Sequence, residues 1–165
     1  MIQASTNEKI EIKDLILPEL TEIFKAWGEP GWKAGQVFAW VYQRGIHDFN
    51  KMTDLSLSLR EKMELYFKSL LPSQEEELVS DDGTKKFLFR LEDGRLIETV
   101  IIPAGNRNTI CISTQVGCKY ACVFCASGLE GFKRDLGPSE ILGQILYLRD
   151  QHDLAFTNYV FMGMG

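Results

Sequence analysis

The chain has 165 residues, 45% of them hydrophobic and 25% charged, the proportions of a globular protein with a core rather than of a disordered or fibrous chain. No run approaches the roughly 18 apolar residues of a membrane span, and Met1-Ile2-Gln3-Ala4-Ser5-Thr6-Asn7-Glu8-Lys9 lacks the basic-then-apolar order of a secretory signal. A net charge of −5 argues against non-specific nucleic-acid binding over the whole surface, and four cysteines, three of them clustered, fit a reducing cytoplasm better than a disulfide framework.

In chain order, the first dozen residues are polar and read as frayed. Leu20, Ile23, Phe24 and Trp27 then follow helical spacing, with Pro18 in the first turn and Gly28 as the stop. A second helix is expected from Trp32 to Arg44, with Val37, Trp40 and Val41 on one face. A third carries Leu55, Leu59, Met63 and Phe67 and runs to Leu70, before Pro72. These helices make a small domain over residues 1–72, whose tryptophans read as core. Strands are expected at 75–80, 85–91, 95–102 and 108–115. Asp81-Asp82-Gly83 and Glu92-Asp93-Gly94 separate the first three, and Asp-Gly between β-rich runs is a strong hairpin signal. Residues 73–105 are thus a β-meander linker. After an irregular stretch from Ala126 to Asp135, Pro138 and Glu140 begin a helix that buries Ile141, Ile145 and Leu148. Asn158 to Met162 is a further strand, ending in Gly163-Met164-Gly165. Strand, loop, helix and strand over 106–165 follow the order of a parallel α/β unit, and a Gly-x-Gly at a strand's C-terminal end is where such folds bind ligands. An ordinary turn is the competing reading of those glycines. One βαβ unit does not cover both faces of a sheet, so the chain reads as the N-terminal part, or a truncated descendant, of a larger enzyme.

The distinctive stretch is Cys118-Lys119-Tyr120-Ala121-Cys122-Val123-Phe124-Cys125, spaced C-x3-C-x2-C. Thiolates are soft ligands for iron–sulfur clusters, zinc or copper(I). Three ligands leave one iron of a [4Fe–4S] cluster open, whereas structural zinc takes four. A zinc site completed by Cys111 or His152, or a disulfide pair with a spare thiol, remains an alternative. Arg107, Lys119, Lys133 and Arg134 near the loop are either a local basic patch or ordinary solvated charges. Cys111 by position is a buried strand cysteine, and Glu98 a solvent-facing carboxylate on an amphipathic strand.

The spacing resembles that of radical S-adenosylmethionine (SAM) enzymes. Cys111-Ile112-Ser113-Thr114-Gln115-Val116-Gly117-Cys118, Cys122-Val123-Phe124-Cys125-Ala126, Gly131-Phe132-Lys133-Arg134, Glu140-Ile141…Gln144 and Phe161-Met162-Gly163-Met164-Gly165 resemble the RlmN/Cfr family of RNA adenine methyltransferases more closely. Trp40, Gly45, Phe49 and Met52-Thr53-Asp54-Leu55-Ser56 resemble their helical accessory domain. The resemblance implies an α/β fold made of a small helical domain, the meander, and the first βαβ part of an incomplete radical-SAM (β/α) barrel. It implies a [4Fe–4S] cluster on Cys118, Cys122 and Cys125, and SAM beside Phe124, Gly163, Met164 and Gly165. Cys111 would resolve a methyl-cysteine intermediate through a disulfide with a distal cysteine, and Glu98 would accept a proton. The implied reaction is methylation of adenine C2 in 23S rRNA, with tRNA as a second substrate and an electron donor such as flavodoxin. A cytoplasmic monomer without membrane contact is expected. The Glu-Pro that follows Gly165 in the family, and the distal cysteine, are not in the sequence, so these 165 residues alone are expected not to complete turnover. The alternatives are a Cfr-type C8 methyltransferase, a non-catalytic cluster- or RNA-binding remnant, and a zinc module.

Overall fold

The computed structural model describes residues 8–120, 122–129, 131–152 and 154–165 and falls into two units, one ending at Leu70 and one beginning at Leu71. In the first unit, β1 (Ile10–Glu11) leads through a 3-10 turn to α1 (Leu17–Ala26), α2 (Trp32–Phe38), α3 (Leu57–Tyr66) and β2 (Phe67–Lys68). α1 starts where Pro18 fits the first turn, and Glu19 reaches back to accept the Ile16 N–H at 2.9 Å. It ends at Gly28, whose φ of +80° is the left-handed exit that glycine makes cheap. Leu20 and Phe24 are fully buried, and Trp27 stacks on Phe24 with centroids 5.6 Å apart.

The structure departs from the helical pattern in three places. The helix expected to reach Arg44 widens after Phe38 into a π turn over Ala39–Gln43, where the Arg44 N–H bonds the Ala39 carbonyl at 3.0 Å. There the Trp40 indole N–H donates to the Asp54 carboxylate while Val37 and Val41 stay buried. α3 stops at Tyr66 rather than Leu70, because Phe67–Lys68 turn extended and pair in parallel with Ile10–Glu11. That pairing orders part of the segment expected to fray, of which residues 1–7 lie outside the described residues. The Glu11 carboxylate accepts the Leu70 N–H at 2.9 Å, and the buried Lys13 amine donates to the Leu70 carbonyl at 2.7 Å and to Glu11. Burial pushes the Lys13 amine below its ordinary range, against the pull of Glu11. Of the tryptophans, Trp27 and Trp40 pack against the core, whereas Trp32 is 65% exposed.

The second unit holds β3 (Ser73–Val79), β4 (Lys85–Arg90), β5 (Leu96–Ala104), β6 (Arg107–Cys111), β7 (Gln115–Val116), β8 (Arg134–Asp135), α4 (Pro138–His152) and β9 (Asn158–Val160). Five strands form one sheet in the order β3-β4-β5-β6-β9, antiparallel except for the parallel β6–β9 pair across α4. Both Asp-Gly turns fall where expected, with φ of +83° at Gly83 and +79° at Gly94. The residues read as a linker, 73–105, are three strands of the sheet that also contains β6 and β9. A boundary at 105/106 would pass through the turn between hydrogen-bonded neighbours, since Ala104 pairs with Arg107. The strand expected over 108–115 ends at Cys111, and Gln115–Val116 pair instead with Arg134–Asp135.

Alternation along β5 gives the sheet two different faces. Ile97, Thr99 and Ile101 are buried on the side of α4, with Phe87, Phe89, Ile110, Ile112 and Leu148 in the same core. Each phenylalanine buried there contributes about 1.5–3 kcal/mol of transfer free energy. Glu98 and Val100 point to the other face. No helix among the described residues is long and apolar enough to cross a membrane.

Candidate functional site

The face opposite α4 collects the chemistry-bearing residues. Cys111 pairs with Val100, and Ile110 with Ile101, so the period-two rule puts Cys111 on the same face as Val100 and Glu98. Cys111 is buried, which pushes its thiol pKa up; the Met162 N–H directed at the sulfur opposes this only in part. Glu98 is half-buried and paired with Lys86 at 3.0 Å. Both line a cavity of about 420 Å³, to which Val116, Gly117, Gly131 and Met164 also contribute. The chain therefore brings Glu98, Met164 and the root of the cysteine loop to one cavity.

The loop leaves the sheet through a pinned stem. β7 and β8 pair at its base, Lys133 N–H donates to the Val116 carbonyl at 2.9 Å, and the Gln115 amide donates to Asp135 at 2.8 Å. Gly117 makes the first turn at φ +70°, where a Cβ would lie 2.0 Å from the Gly131 carbonyl oxygen, so only glycine fits. Beyond the stem, Cys118 is buried, Cys125 half-buried and Cys122 exposed, and all four cysteines of the chain are free thiols. Phe124, expected beside a cofactor, is 89% exposed. Among the described residues no three His, Cys, Asp or Glu side chains are gathered closely enough to hold a metal. The donor chemistry nonetheless fits an iron–sulfur cluster, with three soft, uncommitted thiols on one loop tied down at both ends.

Of the four basic residues near the loop, Arg134 does not contribute to an open patch. Its guanidinium forks onto Glu140 at 2.7 and 2.8 Å and onto Asp93 at 2.9 and 2.8 Å. Glu140 first and Asp93 second hold the arginine even further above its ordinary range. Glu140 also accepts the Gly137 N–H at 2.9 Å, so one carboxylate starts α4 and anchors β8. Arg107, Lys119 and Lys133 are exposed.

Gly163, Met164 and Gly165 lie against Ser113 and Thr114 at the end of β6. A Cβ on Gly163 would come within 2.7 Å of Ser113 Oγ, and one on Gly165 within 2.1 Å of Thr114 Oγ1. The two glycines are thus required by the neighbouring chain itself. Met164 accepts the Thr114 and Gln115 N–H groups at 2.8 and 2.9 Å and donates its own N–H to Ser113 Oγ at 3.0 Å. Ser113, Thr99 and Gln144, all fully buried, were given no role by the sequence pattern; a polar side chain on an otherwise apolar helix or strand face is the signal that singles out such residues.

Residues 10–68 match the family described as the ribosomal RNA large subunit methyltransferase N-terminal domain. The dual-specificity RNA methyltransferase RlmN of Marinobacter nauticus is 40% identical over 96% of this chain and 44% of its own length. The probable dual-specificity RNA methyltransferase RlmN of Gemmatimonas aurantiaca is 48% identical over 92% of this chain and 42% of its own. A radical SAM methyltransferase from Sphaerobacter thermophilus superposes with a TM-score of 0.84 at 38% identity, covering 94% of this chain and 47% of that one. The chain spans less than half the length of these relatives. Over nearly all of its own length it is similar to RlmN-type RNA methyltransferases and to a radical SAM methyltransferase.

Proposed function

We propose that the chain is part of an enzyme that methylates C2 of an adenine in 23S rRNA, with tRNA as a second substrate. The observation that carries this reading is the shared sheet face: Glu98 and Cys111 lie on it beside a loop of three free thiols. Cys118, Cys122 and Cys125 would hold the [4Fe–4S] cluster, with Phe124 and Gly163 to Gly165 near SAM. When bound, cluster and SAM supply a 5′-deoxyadenosyl radical, a species able to take hydrogen from an unactivated methyl group. The chain's own residues do the polar work. Glu98, held at the cavity rim by Lys86, accepts the proton lost from the adenine carbon. Cys111, kept as a thiol at rest by burial, gives up its proton and attacks the methyl-bearing sulfur of a second cysteine. The S–S bond forms as the carbon–sulfur bond to the base breaks; the released carbon takes up the proton given up by Cys111 and becomes the methyl group, and the one electron left from the radical adduct would return to the cluster. None of the three other cysteines in the sequence is free for that second role, so it falls to the whole protein.

The relatives are named RlmN rather than Cfr, which favours C2 over the C8 chemistry of the Cfr type. A monomer in the cytoplasm, reduced by a donor such as flavodoxin, completes the reading. The test is anaerobic reconstitution of the whole protein, followed by mass spectrometry of nucleosides from treated 23S rRNA and tRNA. 2-Methyladenine is expected. 8-Methyladenine would reassign the enzyme to the Cfr type, and an intact cluster without product would leave only cluster or RNA binding. Stoichiometric zinc without iron would remove the cluster from the reading.

A further inference from the structure

A helix side chain rarely enters a sheet core as an amide unless it has several partners to satisfy. Gln144 of α4 is fully buried and has four. Its Oε1 accepts from Thr99 Oγ1 at 2.7 Å and from Ser113 N–H at 3.0 Å. Its Nε2 donates to the Ser113 carbonyl at 2.9 Å and to the Glu140 carbonyl at 3.3 Å. One side chain therefore holds both backbone groups of Ser113, in the manner of a neighbouring strand. This happens where β6 has ended at Cys111 and its ladder no longer supplies those bonds.

Ser113 passes the constraint on in two directions. Its Oγ donates to the Glu98 carbonyl at 2.6 Å and accepts the Met164 N–H at 3.0 Å. Met164 in turn closes on the Thr114 and Gln115 N–H groups through its own carbonyl. The hydroxyl thus spends both its donor and an acceptor position on backbone, of β5 and of the segment that follows β9, and a single rotamer of Ser113 serves all of it.

We propose that Gln144 is a positioning residue: through Ser113 it sets the backbone of Gly163-Met164-Gly165 relative to the strand carrying Glu98, and so shapes the SAM side of the site. This rests on the reading of 163–165 as a cofactor-contacting turn. Thr99 is an internal contrast, because its bond reaches Gln144 but neither Ser113 nor Met164. A side chain that merely filled the core would weaken folding when changed and leave the turn as it was. A positioning residue moves the turn.

The test uses the whole protein with Gln144→Leu, Gln144→Glu, Ser113→Ala and Thr99→Val. Gln144→Glu keeps the size and the acceptor, loses the Nε2 donor to the Ser113 and Glu140 carbonyls and puts a carboxyl in their place, so it serves if the leucine variant does not fold. Hydrogen–deuterium exchange on the metal-free protein reads the amides of 113–115 and 164. SAM affinity is then measured on cluster-loaded protein without reductant, together with iron content. Both Gln144 variants and Ser113→Ala are expected to speed exchange at those amides and to weaken SAM binding about tenfold or more, with iron unchanged. Thr99→Val is expected to lower the melting temperature and leave SAM affinity within about twofold. Unchanged exchange and affinity in the Gln144 and Ser113 variants would overturn the proposal while the cofactor reading stands. Cluster-loaded wild-type protein that binds no SAM would overturn that reading, and the proposal with it.

Discussion

The two halves of the candidate site are built in opposite ways. At the ends of β6 and β9, nearly every polar group from Ser113 to Gln115 and at Met164 has a named partner within the chain, and the glycines leave no room to spare. In the cysteine loop, the stem is fixed by pairing, but Val123, Phe124 and Leu129 face solvent and the three sulfurs are not gathered. The part that must have a fixed shape is made by the protein alone. The part proposed to ligate would take its final arrangement from what it binds, the usual coupling of metal sites to local folding.

The sharpest way to break that contrast is to change the ligands. Cys122→Ser or Cys125→Ser should reduce iron after anaerobic reconstitution from about four per chain to near zero. The melting of the metal-free protein should stay within about 0.5 kcal/mol, because neither side chain is in the core. A large loss of apo stability would mean that the loop carries fold energy after all. Phe87→Ala addresses the other side: it empties part of the core behind the sheet and should cost about 3–5 kcal/mol in denaturant unfolding of the second unit. Gly117→Ala lies at the junction. Its Cβ meets the Gly131 carbonyl oxygen, a backbone atom that cannot swing away, so about 1–3 kcal/mol of strain and poor cluster loading are expected together.

The smallest effect concerns Arg134. Partial burial alone would raise the Asp93 pKa, but the Arg134 guanidinium and the Arg95 N–H outweigh it and hold that carboxyl below the usual range. A carboxylate depressed in the folded state adds stability above its unfolded pKa of about 3.9, and that contribution disappears as pH falls through the folded value. Arg134→Met should therefore cost about 1 kcal/mol at neutral pH, and the difference should shrink as pH falls below the ordinary carboxylate range, wild type and variant converging in urea titrations. A pH-independent difference would mean that the arginine acts through packing alone.

What could be foreseen from the residues follows the range of the forces involved. α1 and the Asp-Gly turns were legible because helix periodicity, Pro18, Gly28, Gly83 and Gly94 act within a few residues. The parallel pairing of Ile10–Glu11 with Phe67–Lys68 was not, since two-residue strands leave no alternating pattern and their partners lie far apart in the chain. The π turn at Ala39–Gln43 carries no local signal, only the gain of seating Trp40 on Asp54. At the site, the cysteine spacing and the buried position of Cys111 were readable. Ser113 and Gln144 were not, because the strand pattern ran straight through 113 and the bond that matters comes from a helix 31 residues away. Arg134 read as one of several loose charges until Asp93 and Glu140 came to it from other elements.

The pairing of Gln115–Val116 with Arg134–Asp135 has a kinetic meaning as well. A chain segment held at both ends keeps its three thiols within a small volume, at effective concentrations on the order of millimolar with respect to one another. In the proposed cluster, capture by the first sulfur would make the second and third encounters intramolecular, so that delivery of iron and sulfide, rather than the search for ligands, is expected to limit assembly. Lengthening the segment between Cys125 and Lys133 by a few residues should slow loading only slightly, since the closure cost grows with the logarithm of length.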